Sequence, residues 1–256
     1  MVIVEWFWLI LAGWLAGVCV NYLSDVLPRR RRLVRPFCIY CETKVTWWNY
    51  AFWPLRCTSC KRPHSWRFWM VQFIFIFTTV SLWYDHPQKL GFWGGWVLLV
   101  YFGVVVVIDI EYRLILHPVS LFGAVLGLMI GSYLHGPVSA VIGGAVGFGI
   151  MLFLYWLGGL LLHLAARLRG ETVDDVALGF GDVNLSGVLG LLLGFPGIIL
   201  GLFLGILAGG MVSLFFLVGM VIQHRYRMFA ALPYGPFLVT GAVLLLYFRD
   251  LVAALF

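Results

Sequence analysis

The sequence predicts an all-α polytopic membrane protein of about eight transmembrane helices, carrying one small cytoplasmic zinc-ribbon-like insert. Three observations predict this fold. Of the 256 residues, 62% are hydrophobic and 11% charged, and the mean hydropathy of +0.99 excludes a soluble globule. Apolar runs of roughly 20 residues, the length that crosses a hydrocarbon core about 30 Å thick, recur along the chain. Sizeable polarity is confined to one segment, about 28–67, which also holds four of the five cysteines.

The spans read in order as about 2–23, 68–84, 92–110, 118–134, 138–166, 183–194, 197–222 and 231–249. The first carries Glu5 in place of a basic leader and is too long for a cleaved signal peptide, so it is expected to stay as a helix. The sixth is short, and Phe195-Pro196-Gly197 is the turn that splits it from the seventh. The resulting division is a first transmembrane helix at 1–27, a cytoplasmic loop at 28–67 and a seven-helix membrane domain at 68–256.

Lysine and arginine set the direction. With the N-terminus outside, ten of the 17 basic residues fall in the first cytoplasmic loop, from Arg29 to Arg67. Arg113, Arg167, Arg169, Arg225 and Arg227 fall in later cytoplasmic loops, and only Lys89 and Arg249 lie outside, a split of fifteen to two. This asymmetry accounts for the net charge of +6 without nucleic acid as a partner. The Arg29–Arg32 run follows a span directly, where such clusters meet anionic lipid headgroups.

Within the insert, Cys38-Ile39-Tyr40-Cys41 and Cys57-Thr58-Ser59-Cys60 form two CxxC pairs separated by fifteen residues. Each pair can offer two thiolates to one tetrahedral ion, and the gap suits structural zinc. Disulfides are the rival, disfavoured in a reducing cytoplasm. Cys19, alone in the first span, reads as a small buried apolar residue. The six histidines show no HExxH-like spacing, and His117 reads as an interfacial residue opening a span. Trp47, Trp48, Trp66 and Trp69 follow the aromatic-belt rule. The ladders Gly143-xxx-Gly147 and Gly201-xxx-Gly205-xxx-Gly209 predict close helix packing.

Two carboxylates stand out because charge bordering hydrocarbon is expensive. Asp109 ends the run Val104–Ile108, and Asp182 follows Gly179-Phe180-Gly181 at the mouth of the sixth span. Both fall on the predicted cytoplasmic side. The helix dipole favours an ionised Asp182 at a helix start and disfavours an ionised Asp109 at a helix end. Two such acids brought together share a proton near neutral pH, and one can activate water while the other donates a proton. Each alone also has a bland reading, Asp109 as an interfacial residue and Asp182 as a helix cap.

Gly179-Phe180-Gly181-Asp182-Val183-Asn184-Leu185 resembles the GxGDxKL motif of the bacterial type IV prepilin peptidases, membrane aspartic proteases of pilus and type II secretion systems. Ile108-Asp109 followed by Leu114-Ile115 is similar to that family's first aspartate motif. The CxxC pairs resemble its zinc-bearing loop, Gly17-Val18-Cys19-Val20-Asn21 its first-helix motif, and Leu232-Pro233-Tyr234-Gly235-Pro236-Phe237-Leu238 its last-helix motif. The resemblance implies an inner-membrane peptidase with Asp109 and Asp182 as the dyad and Gly179 and Gly181 shaping the active-site loop. It further implies pilin-like precursors as substrates, with a short basic leader and an apolar helix, cut after a glycine at the cytoplasmic face. Glu171, Asp174 and Asp175 are candidates to attract that leader.

Departures also matter. Asn184 stands where the family has lysine, and Leu116 where a proline often follows the first aspartate. Gln72 replaces the glutamate of an RYPxxE-like stretch, Arg67–Gln72, and the region from Asn49 to Cys57 is short. That part is linked in the family to methylation of the new N-terminus by S-adenosylmethionine, so methyl transfer here stands evenly balanced. Two readings from other classes compete: an ion-coupled transporter, disfavoured because the acids sit at one membrane face, and a non-catalytic assembly factor docking through the zinc loop.

Overall fold

The computed structural model describes residues 2–52, 56–87, 89–169, 179–222 and 233–248. The candidate leader-attracting acids Glu171, Asp174 and Asp175 lie outside the described residues. Regular structure within them is helical. The helices are α1 (Val2–Arg30), α2 (Trp47–Ala51), α3 (Trp66–Tyr84), α4 (Gly91–Tyr112), α5 (His117–His135), α6 (Pro137–Arg169), α7 (Phe180–Leu193), α8 (Gly197–Ile222) and α9 (Gly235–Tyr247). Five of these, α1, α4, α5, α6 and α8, are long and apolar enough to cross a membrane, and α7 and α9 are shorter apolar helices. α3 occupies the expected second span, its hydropathy diluted by Arg67, Gln72 and a threonine pair. Packing divides the chain into two compact units, Met1–Ile108 and Asp109–Phe256.

In the first unit α1 runs to Arg30, past the expected end of the span at residue 23. Hydropathy stops where Ser24 and Asp25 appear, but those residues have partners. The Tyr22 hydroxyl donates to the Val34 carbonyl (2.6 Å), and Tyr50 donates to Asp25 (2.7 Å), which also pairs with Arg67. The extension thus becomes one wall of the insert, whose core gathers Tyr22, Val26, Phe37, Val45, Tyr50 and Phe68. His64 stacks on Phe68, and burial lowers its pKa, keeping the ring neutral there. Cys19, expected to be buried, is exposed on α1 instead. Its neighbours Val18 and Val20 take the inward positions of that turn.

In the second unit α7 is the central element, with Val183, Leu185, Ser186, Leu189 and Leu192 all buried. Glycines let α6 approach it closely: a Cβ on Gly190 would lie 2.7 Å from the Gly143 carbonyl carbon and 2.9 Å from Gly144 Cα. Gly147 faces Ser186 and Ile198 in the same way. The second ladder, Gly201, Gly205 and Gly209, admits α9, with a Cβ on Gly205 falling 3.0 Å from the Phe237 carbonyl. Both ladders therefore serve packing, as small residues do where apolar surfaces must meet without a solvent-driven force.

Gly190→Leu is expected to destabilise the detergent-solubilised protein by about 1–3 kcal/mol, the usual scale of overpacking. Gly149→Leu, where nothing lies within 4 Å of an added Cβ, is the matched control. Equal thermal-unfolding midpoints for the two variants would contradict this account of the crossing.

Candidate active site and metal centre

Asp109 and Asp182 both belong to the second unit and both are buried, 4% and 8% exposed. Asp109 sits in the last turn of α4, whose end is fixed by the Arg113 amide donating to the Asp109 carbonyl (2.8 Å). Asp182 sits in the first turn of α7, which opens three residues earlier than the expected span, at Phe180, with Gly179 as N-cap. Its own amide donates to the Gly179 carbonyl (3.0 Å).

The group that holds Asp109 comes from far along the chain. The Gly235 amide, at the start of α9, donates to Asp109 Oδ2 over 2.9 Å. It is one of the four N–H groups a helix start leaves without an internal partner, so the carboxylate caps α9. A Cβ on Gly235 would lie 2.7 Å from that oxygen, so glycine is required by close approach. The expected dipole asymmetry is thereby offset in part. Asp109 ends one helix but its side chain reaches the N-terminus of another, so both acids are served by positive helix ends. The Pro233-Tyr234-Gly235-Pro236 stretch was the available signal for Gly235, although no spacing rule tied it to Asp109.

Two contacts shape the loop around Asp182. The Phe180 ring packs edge-on against Phe148 and Tyr155 of α6, at centroid distances of 6.5 and 6.0 Å. Gly181 abuts Ile115 from the α4–α5 connection, where an added Cβ would lie 2.8 Å from Ile115 Cβ. The turn bearing Asp182 is thus fastened to the segment that follows Asp109. Of the two departures nearby, Leu116 is the buried N-cap residue of α5, and Asn184 is half-buried on another face of α7.

The four cysteines of the first unit converge. Their sulfurs all lie within 4.8 Å of one another, with Cys38 to Cys60 at 3.6 Å and Cys41 to Cys57 at 3.5 Å. Those separations exclude S–S bonds, and they approach the ~3.8 Å edge of a tetrahedron with ~2.3 Å metal–sulfur bonds. Each pair sits on a matching turn: the Cys38 amide donates to the Thr43 carbonyl and the Glu42 amide to Cys38, while the Cys57 amide donates to Arg62 and the Lys61 amide to Cys57. Burial pushes the Cys38 thiol up to about 12. Burial also opposes ionisation of Cys57, but the Thr43 hydroxyl and the turn amides of Cys60 and Ser59 outweigh it and bring that thiol down to about 6. Thr43 lowers Cys41 as well. The donor set fits a metal ion that prefers four thiolates.

Parts of the chain are similar to known proteins. Residues 96–214, which include both aspartates, match the type IV leader peptidase family. The chain is 24% identical over 233 residues to the prepilin leader peptidase/N-methyltransferase of Aeromonas hydrophila, covering 87% of this chain and 75% of that protein. It is 25% identical over 197 residues to the protein of the same name from Aeromonas salmonicida strain A449, covering 75% of this chain and 62% of the relative. No solved structure matches.

Two outcomes follow from this geometry. Gly235→Ala is expected to lower kcat roughly 100-fold, the scale of an ångström-level misplacement, with KM little changed; wild-type kcat would break the link between α9 and Asp109. The purified protein is expected to carry one zinc ion per chain by elemental analysis and to lose it with Cys57→Ser. The bound metal falls as pH drops, because protons compete for the thiolates. Full metal retention by Cys57→Ser would show that the four sulfurs are not the site.

Proposed function

We propose that this relative of the type IV leader peptidases is a membrane aspartic endopeptidase that removes the short basic leader from pilin-like precursors at the cytoplasmic membrane face of a bacterial inner membrane. The observation that carries the proposal is the pair of buried carboxylates, each served by a helix N-terminus, inside the segment that matches the family. Structural stabilisation of buried charge does not call for two acids together, since like charges raise each other's energy.

In the proposed reaction the dyad holds one proton between two carboxyl groups. The ionised carboxylate takes a proton from a bound water as the water oxygen attacks the scissile carbonyl carbon. The protonated partner gives its proton to the carbonyl oxygen, forming a neutral tetrahedral gem-diol. Collapse breaks the C–N bond, the leaving amine takes the proton first removed from water, and a gem-diol hydroxyl returns a proton to the dyad. The Gly235 amide keeps Asp109 oriented throughout, and no covalent intermediate forms.

Zinc, held by Cys38, Cys41, Cys57 and Cys60, would be structural, since four cysteine ligands leave no open position for water. The relatives' names add an N-methyltransferase activity. Here Gln72, 1% exposed, presents both amide atoms without a hydrogen-bond partner against Gly17, so this position supplies no carboxylate. We confine the proposed activity to cleavage.

Asp109→Asn and Asp182→Asn, each alone, are expected to lower cleavage of a short-leader precursor by roughly 1,000-fold or more, as loss of one member of a catalytic unit does. Gel-resolved leader release from purified protein measures it, with labelled S-adenosylmethionine added to read methyl transfer alongside. Either variant keeping wild-type cleavage would favour a non-catalytic assembly role for the chain.

A further inference from the structure

The first unit carries its own measure of membrane depth. α1 and α3 run antiparallel in backbone contact, a Cβ on Gly13 falling 2.7 Å from Ile76 Cα and one on Gly17 3.2 Å from Gln72 Cα. At one end of this pair the rings of Trp6 and Tyr84 meet at a centroid distance of 5.8 Å, with Glu5 and Asp85 next to them in sequence. Aromatic rings beside charges mark a membrane–water boundary. From Trp6, a hydrocarbon core about 30 Å thick takes a helix rising about 1.5 Å per residue to about residue 26. Asp25, paired with Arg67 and Tyr50, lies at that second boundary.

The insert does not stay outside that boundary. Val18, Tyr22 and Val26 belong to its core and Trp14 packs against it, four residues at intervals of four on one face of α1. α2 lies along this stripe. Its first residue, Trp47, meets the Tyr22 ring at a centroid distance of 4.6 Å. Its last, Ala51, accepts a hydrogen bond from Trp14 Nε1 over 2.7 Å. Trp14 is about 18 Å inside the boundary at residue 26, further than an indole and one hydrogen bond reach. α2 therefore descends to the depth of hydrocarbon.

We propose that α2 is a re-entrant wedge in the bilayer leaflet on the side of the insert, with lipid acyl chains covering Trp47 and Trp48. In the sequence no charge falls between Lys44 and Arg56, a run whose length suits a re-entrant segment and not a full span. Cations bracketing an apolar run match the phosphate layer above the acyl chains. Backbone groups in hydrocarbon must find partners within the protein. Here the Tyr50 amide donates to the Thr46 carbonyl (3.0 Å), the Phe52 amide to Trp48 (2.9 Å) and the Asn49 amide to Thr46 Oγ1 (3.4 Å). The Ala51 carbonyl, one of those a helix end leaves unpaired, takes the Trp14 indole. What α2 turns outward is apolar: Trp47 and Trp48 are 51% and 65% exposed, and the Trp48 ring lies 5.0 Å from that of Phe52. Cys38 and Cys57, packed in the same core as Tyr22 and Tyr50, are thereby held against the membrane face. The inference stands apart from the peptidase reading and uses none of its residues.

Trypsin cuts after Lys44 and Arg56, so the wedge leaves the unsubstituted protein within one peptide, Val45–Arg56. The full-length protein is reconstituted in phosphatidylcholine–phosphatidylglycerol bilayers containing a phospholipid with a diazirine on its acyl chain, then illuminated and digested. Val45–Arg56 is expected to carry severalfold more lipid adduct than the equally long peptide Leu33–Lys44, which bears the first metal-binding turn, with adducts at Trp47 and Trp48. This reading needs no variant, so a folding defect has no part in it. Trp48→Phe gives a second: the emission it removes is expected to be quenched by lipid brominated on the acyl chain and to resist acrylamide in the water. Equal labelling of the two peptides, which water or a second protein chain over the rings would produce, overturns the proposal. So does a Trp48 emission quenched by acrylamide and untouched by brominated lipid.

Discussion

The second unit depends on how closely α7 is approached by its neighbours. This helix has only 14 residues, about 21 Å against a hydrocarbon core of about 30 Å, so it cannot expose a full-length span to lipid. It survives by being enclosed. Gly143, Gly144 and Gly190 bring α6 and α7 into backbone contact, and Gly127 and Gly131 do the same for α5. Such contacts substitute van der Waals packing for a hydrophobic force that is absent between apolar helices in lipid. A short, enclosed helix places its first turn, and Asp182 with it, among other protein groups.

That enclosure makes the carboxylates expensive, and the helix ends offset the expense. Asp182 lies in the first turn of α7, and Asp109 receives the first amide of α9. In each case an N-terminal peptide dipole supplies fixed positive potential at no cost in net charge. A lysine or arginine in that position would neutralise the pair and remove the shared proton. Peptide dipoles stabilise charge without fixing its protonation, which is the property the proposed water chemistry requires.

Much of this was legible in the sequence, for identifiable reasons. Span positions follow from the length of apolar runs, and the cysteine cluster from a spacing that one tetrahedral ion imposes. The glycine ladders announced close packing because glycine at four-residue intervals lines one helix face. What escaped depended on partners distant in sequence. Asp109 and Gly235 are 126 residues apart, and no local pattern couples them, so the dipole argument made from α4 alone omitted the opposing contribution of α9. The extension of α1 to Arg30 escaped because hydropathy penalises Asp25, whereas Tyr50 and Arg67 supply its partners from the insert and α3. Cys19 was misread because a polarity scale cannot say which face of an apolar helix turns inward.

The same distinction explains why the departures from the family pattern weigh differently. Leu116 and Asn184 lie beside the dyad in sequence, yet neither touches a carboxylate: one is a buried helix cap and the other lines a groove between α5, α6 and α7. Substitution there does not alter how the acids are held. Gln72 lies in the first unit, far from the acids in sequence, and an amide cannot carry the charge of the glutamate that the resemblance expects there. Its two buried, unpartnered atoms press on Gly17, where any Cβ would collide with the amide. A methyl group transferred to an amine requires the amine to lose a proton, and a neutral amide is no base for that step. On the proposed reading, Asp109 and Asp182 keep the acids that hydrolysis would use, while Gln72 offers no acid where the resemblance expects one.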